Sequence, residues 1–86
     1  MELILPTWFK QRQAKAEPAG PDQFRLTAPN QGEAFIHIIP GENGLWSASL
    51  RQTAEGPALA ATEPVFAKPQ EAWEAAFELY RTQLVV

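Results

Sequence analysis

Residues Pro69 to Val86 read PQEAWEAAFELYRTQLVV, and their periodicity decides the fold. At about 100° per residue, Trp73, Ala76, Phe77, Tyr80 and Leu84 fall in one narrow stripe, while Glu71, Glu74, Glu78 and Arg81 fall roughly opposite. Pro69 suits the first helical position, where a missing N–H costs nothing, and Glu71 sits in the first turn, where the helix dipole favours a carboxylate. Lys68 just before it is a poor cap. A helix with three aromatics on one face must cover something apolar, and the residues upstream read as short strands that supply such a surface.

Immediately before the helix, Val65 and Phe66 are expected to hook into the core. Ala58 to Thr62, bounded by Pro57 and Pro64, reads as an edge strand. Ahead of a turn at Ala54-Glu55-Gly56, the segment LWSASLRQT alternates: Trp46, Ala48 and Leu50 on one side, Leu45, Ser47, Ser49 and Arg51 on the other. That is a half-buried strand with Trp46 as a core anchor. Pro40-Gly41-Glu42-Asn43-Gly44 is the strongest turn in the chain, because Asn-Gly accepts positive φ at little cost. The strand before it, EAFIHIIP, carries bulk on both sides: Ala34, Ile36 and Ile38 on one, Phe35, His37 and Ile39 on the other. Such a strand is central and covered twice, or its second face meets a partner.

The turn Pro29-Asn30-Gln31-Gly32 separates that strand from a shorter one at Phe24-Arg25-Leu26-Thr27. Residues 16 to 23, AEPAGPDQ, read as a loop on their two prolines and glycine. Thr7 is placed to cap a first helix, TWFKQRQAKAE, which Pro18 would end. The expectation is one small α+β domain over 1–86: an N-terminal helix and loop segment (1–23), a three- to four-stranded antiparallel β-meander (24–66), and a closing helix (69–85) packed on one face through Trp73, Phe77 and Tyr80 against Trp46, Leu50, Phe24 and Phe66. A second topology drops the first helix.

A chain of 86 residues suffices for one domain and is short for two. Three Trp and five Phe give it enough bulk to form a small core. The lack of cysteine excludes disulfides, thiolate catalysis and Cys-ligated metal, and fits a reducing cytoplasm. Leu3-Ile4-Leu5, broken by Pro6 and without a basic leader, argues against a signal peptide, and no apolar run reaches the length of a membrane span. Seven basic and ten acidic residues give a net charge of −3, with no overall pull toward nucleic acid.

Residues with catalytic chemistry are few. His37 is the sole histidine, so a Ser-His-Asp relay would have to combine it with Ser47 or Ser49 and the sole aspartate, Asp22. The sequence offers no turn that would hold either serine as a nucleophile. One histidine, no cysteine and scattered carboxylates give no metal-ligand spacing. Glu74 and Glu78, at i and i+4, share a helix face and read as a solvated acidic surface offset by Arg81. No glycine-rich phosphate loop precedes a helix. The expectation is no enzyme, no cofactor and no metal.

From Phe35 to Tyr80, FIHIIPGENGLWSASL followed by VFAKPQEAWEAAFELY resembles the three-strand-plus-helix layout of HicB-type antitoxins, including an EAxxxA helix after a hairpin. The resemblance covers about half of the chain. The cysteine-bearing Pro- and Gly-rich segment usual in such proteins is replaced here by RQTAEGPALAATEP. A similar layout occurs in the small arm-binding domains of phage integrases, whose sheets contact DNA and which are usually basic. The resemblance implies a sheet closed by a helix and carries over no functional residue.

Surface recognition remains. A second apolar strip on the closing helix, Ala72, Ala75, Leu79 and Val86, would pack on the N-terminal helix or meet another molecule. Ala72, Ala75 and Leu79 of this strip, with Phe35, His37 and Ile39, form the candidate protein interface. The function expected is a small non-enzymatic protein-interaction module, as a homodimer or with another protein, acting through the uncovered sheet face or an edge. The second reading is nucleic-acid contact through Lys10, Arg12, Lys15 and Arg25, with Trp8 stacking on a base.

Overall fold

The computed structural model describes residues 5–29, 31–53 and 56–84, without the side chains of 31 and 84. The apolar run at 3–5, the turns at 29–32 and 54–56, Leu84 of the helix stripe and Val86 therefore lie wholly or partly outside the described residues. The elements are α1 (Thr7–Gln11), β1 (Lys15–Gly20), β2 (Gln23–Ala28), β3 (Gln31–Pro40), β4 (Trp46–Arg51), β5 (Ala58–Ala61) and α2 (Pro69–Leu84). All five strands form one antiparallel sheet in the order β1-β2-β3-β4-β5. The α+β meander with its closing helix stands as expected, with five strands in place of three or four.

The additional strand comes from residues expected to be helix and loop. The first helix stops at Gln11, because Gln13 takes φ 58 and the helix closes in a Schellman turn. There the Gln13 N–H donates to the Lys10 carbonyl at 3.0 Å and the Ala14 N–H to the Phe9 carbonyl at 3.4 Å. Pro6, not Thr7, occupies the N-cap position, and no side chain caps that end. Beyond the turn, Ala14 and Ala16 lean on the core while Lys15 and Glu17 are exposed, the alternation of a strand. Pro18 is tolerated because β1 lies at the sheet edge. The tight β1–β2 connection uses Pro21 and an Asp22 at φ 54, a conformation that aspartate adopts more readily than most residues.

The register puts the apolar positions in line across the sheet. Ala16 pairs with Leu26, Leu26 with Ala34, Phe24 with Ile36, Ile36 with Leu50, Ile38 with Ala48, and Leu50 with Ala60. Leu26, Ala34, Ile36, Ile38, Ala48 and Leu50 are buried on this face, which α2 crosses over β3, β4 and β5. The α2 stripe of Trp73, Ala76, Phe77 and Tyr80 is buried as expected, and Trp73 meets Phe24 edge-on at 5.1 Å. Trp46 is half-buried against this cluster, not one of its innermost members. Its backbone bridges Phe66 instead, through N–H to carbonyl bonds of 2.7 and 3.1 Å.

Short as it is, α1 contributes a core side chain. Phe9 is fully buried, 5.1 Å from Phe77 and 6.0 Å from Tyr80, and Trp8 stacks on Tyr80 at 6.3 Å. Burying an aromatic of this size is worth roughly 2–3 kcal/mol, enough to dock a helix that could not form alone.

Candidate interaction surface

With both helices on one side of the sheet, the other side has no cover among the described residues. Because side chains alternate along a strand, β3 sends Phe35, His37 and Ile39 to this open face, and the register sets Arg51, Ser49 and Ser47 of β4 directly opposite them. The central position of β3 is as expected; its coverage is on one face only. Ile39 is 39% exposed, Leu59 on β5 42% and Val65 after β5 59%; these are the exposed large apolar side chains among the described residues. Phe35 and His37 are half-buried. Toward the other edge the face turns ionic: Arg25 on β2 pairs with Glu17 on β1 at 2.6 Å and reaches Glu33 at 3.8 Å. All three are well exposed, so these cross-strand pairs contribute less than about 1 kcal/mol each.

At the centre of the face His37 and Ser49 lie side by side. Ser49 is only 4% exposed although no helix covers it, since its neighbours on the sheet shield it. Neither Ser49 Oγ nor His37 Nδ1 has a hydrogen-bond partner, so no proton relay joins them. His37 is held below its ordinary pKa, chiefly by burial and next by the Arg51 guanidinium, with Asp22 opposing. Asp22 is close because its carbonyl accepts the Ile38 N–H at 3.1 Å. Of the residues that a Ser-His-Asp relay would have to combine, Ser49 lies directly opposite His37 and Asp22 lies close by, while Ser49 Oγ makes no hydrogen bond to either. Among the described residues no group of three or more His, Asp and Glu side chains is gathered to hold a metal ion.

The second apolar strip of α2 is largely used inside the molecule. Ala72 is fully buried in the core, and Ala75 and Leu79 are half-buried against it. The N-terminal helix does not take this strip; it docks on the flank that carries Phe77 and Tyr80. The basic and aromatic set of the nucleic-acid reading is divided. Trp8 is half-buried between Tyr80 and the Arg81 guanidinium, Lys10 and Arg12 are exposed at α1, and Lys15 and Arg25 lie on β1 and β2, with Arg25 paired to glutamates. The sequence signal for α1 docking was the Trp8-Phe9 pair; the signal for β1 was the alternation from Ala14 to Glu17.

Searches of protein-family models, of curated proteins and of solved structures each found no match to the chain. No described helix is long and apolar enough to cross a membrane.

Proposed function

We propose that this protein is a non-enzymatic interaction module whose contact surface is the open face of β3, β4 and β5, and whose occupant is a second copy of the chain. The single observation that carries this reading is the row Phe35, His37 and Ile39 on the middle strand, left bare by both helices. Charge favours self-pairing: Lys15, Arg25 and Arg51 stand against Glu17 and Glu33 on this face, and Arg25 is already paired with both glutamates, so no large net charge selects a strongly ionic partner. A two-fold axis through the face would set Ile39 and Leu59 of one copy against the same surface of the other. Two sheets then pack face to face about 10 Å apart, with His37 and Ser49 at the centre. The cysteine-free composition suits a reducing compartment, and the cytoplasm is the location we assign.

Sedimentation equilibrium over roughly 10–500 μM tests this reading, since an interface of modest size gives micromolar association. A monomer–dimer equilibrium abolished by Ile39→Asp, with the variant still folded by circular dichroism, is the expected result. A wild-type chain that stays monomeric throughout, or a dimer indifferent to Ile39→Asp, would overturn it.

A further inference from the structure

Away from the open sheet face, a cleft of about 350 Å³ runs between α1 and α2, lined by Leu5, Pro6, Trp8, Gln70, Glu74, Phe77 and Glu78. Its floor is aromatic and its rim carries two carboxylates one helical turn apart. No lysine or arginine is among its lining residues. We propose that this cleft binds a small organic cation, a primary amine on a short aromatic or aliphatic stem.

Three features select that chemistry. The volume lies at the low end for small-molecule sites, which suits a ligand of side-chain size. The apolar walls of Leu5, Pro6, Trp8 and Phe77 accept a stem, while Glu74 and Glu78 complement a positive head. An anion would meet those two carboxylates, and a neutral apolar ligand would strip water from them without return. A bare divalent ion would find two carboxylates where hard cations require six or more oxygens. The protein already displays the recognition in miniature: Arg81 places its guanidinium carbon 5.8 Å from the centre of the Trp8 ring and its Nη1 3.8 Å from Glu78 Oε1. Arg81 is thus a tethered cation at the rim, and an incoming ammonium competes with it for the same ring and carboxylate. The Glu74–Glu78 pair, which the sequence alone presents as a solvated acidic face, gains a role as the charged wall of this cleft.

Titration of the ¹⁵N-labelled full chain with benzylammonium, and in parallel with benzyl alcohol, tests the proposal. Benzylammonium should shift the Trp8 indole and Gln70 side-chain resonances saturably with a dissociation constant of roughly millimolar order, at least about ten-fold tighter than the alcohol. The doubly neutral Glu74→Gln/Glu78→Gln variant should lose that preference, and Arg81→Gln should bind benzylammonium more tightly than the wild type. Equal affinity for alcohol and ammonium, the absence of a saturable shift, or an Arg81→Gln variant that binds more weakly would overturn it.

Discussion

His37 is a half-buried base diagonal to Arg51 on the neighbouring strand, and its position on the open sheet face makes it sensitive to acid. Burial and Arg51 disfavour its charged form, so the folded chain resists protonation that the unfolded chain accepts near the ordinary value of 6.5. The unfolded state then binds more protons, and stability rises with pH through this window. Above 6.5 there is no cost; it grows as pH falls through 6.5 and levels off below the lowered value. The urea midpoint of the wild type should therefore be lower near pH 5.5 than near pH 7.5, and His37→Gln should narrow the difference. An unchanged pH dependence in His37→Gln would show that His37 does not carry it. Ser49 beside it illustrates how far the sequence could be read at this scale. Its alternation with Trp46 assigned it to the outer face, but not the shielding by neighbouring strands that leaves it 4% exposed.

At the level of the elements, α1 ends where backbone conformation requires it. Gln13 holds a left-handed φ of 58 at the position of a Schellman turn that most often belongs to glycine. Gln13→Gly should raise stability by about 0.5–1 kcal/mol, seen as a higher urea midpoint with an unchanged slope, because relief of the Cβ strain exceeds the added chain entropy. A lower midpoint would mean that the Gln13 side chain matters more than its backbone. This junction is also where the sequence misleads. Residues 12 to 17, RQAKAE, have good helical propensity, yet Lys15–Gly20 forms a strand because pairing with β2 satisfies a row of backbone groups and seats Ala16 against Leu26. Propensity is a matter of tenths of a kilocalorie per residue, and a tertiary partner outweighs it. By contrast α2 and β4 were legible from a clean period, and β3 from its dense apolar run, each with a proline or Asn-Gly signal at its boundary. The candidate face was legible for the same reason: the bulk on both sides of residues 34–39 marked a strand with two demands, only one of which the helices meet.

Across the whole molecule, both helices lie on one side of the sheet and the open face on the other. The buried stripe of α2 and Phe9 of α1 close one side of the sheet, and the proposed contact face and the proposed cation cleft lie on opposite sides of it. Loss of dimerisation in Ile39→Asp should accordingly leave benzylammonium binding intact, and Glu74→Gln/Glu78→Gln should leave dimerisation intact. The sequence could not separate these surfaces, because the residue pattern of α2 alone does not say on which flank α1 settles.

The neighbour-to-neighbour strand order has a kinetic consequence. Each strand pairs with the next one in the chain, so every sheet contact closes a short loop, and the sheet with α2 can assemble without residues 5–14. The docking of α1 on α2, through Phe9 on Phe77 and Tyr80 and Trp8 on Tyr80 and Arg81, joins the two ends. That long closure is expected after the rate-limiting step. In stopped-flow chevrons Phe9→Ala, costing about 3–5 kcal/mol, and the milder Phe9→Leu should speed unfolding and leave the refolding limb almost unmoved. A refolding rate that falls in step with the lost stability would place the N-terminal latch inside the nucleus instead.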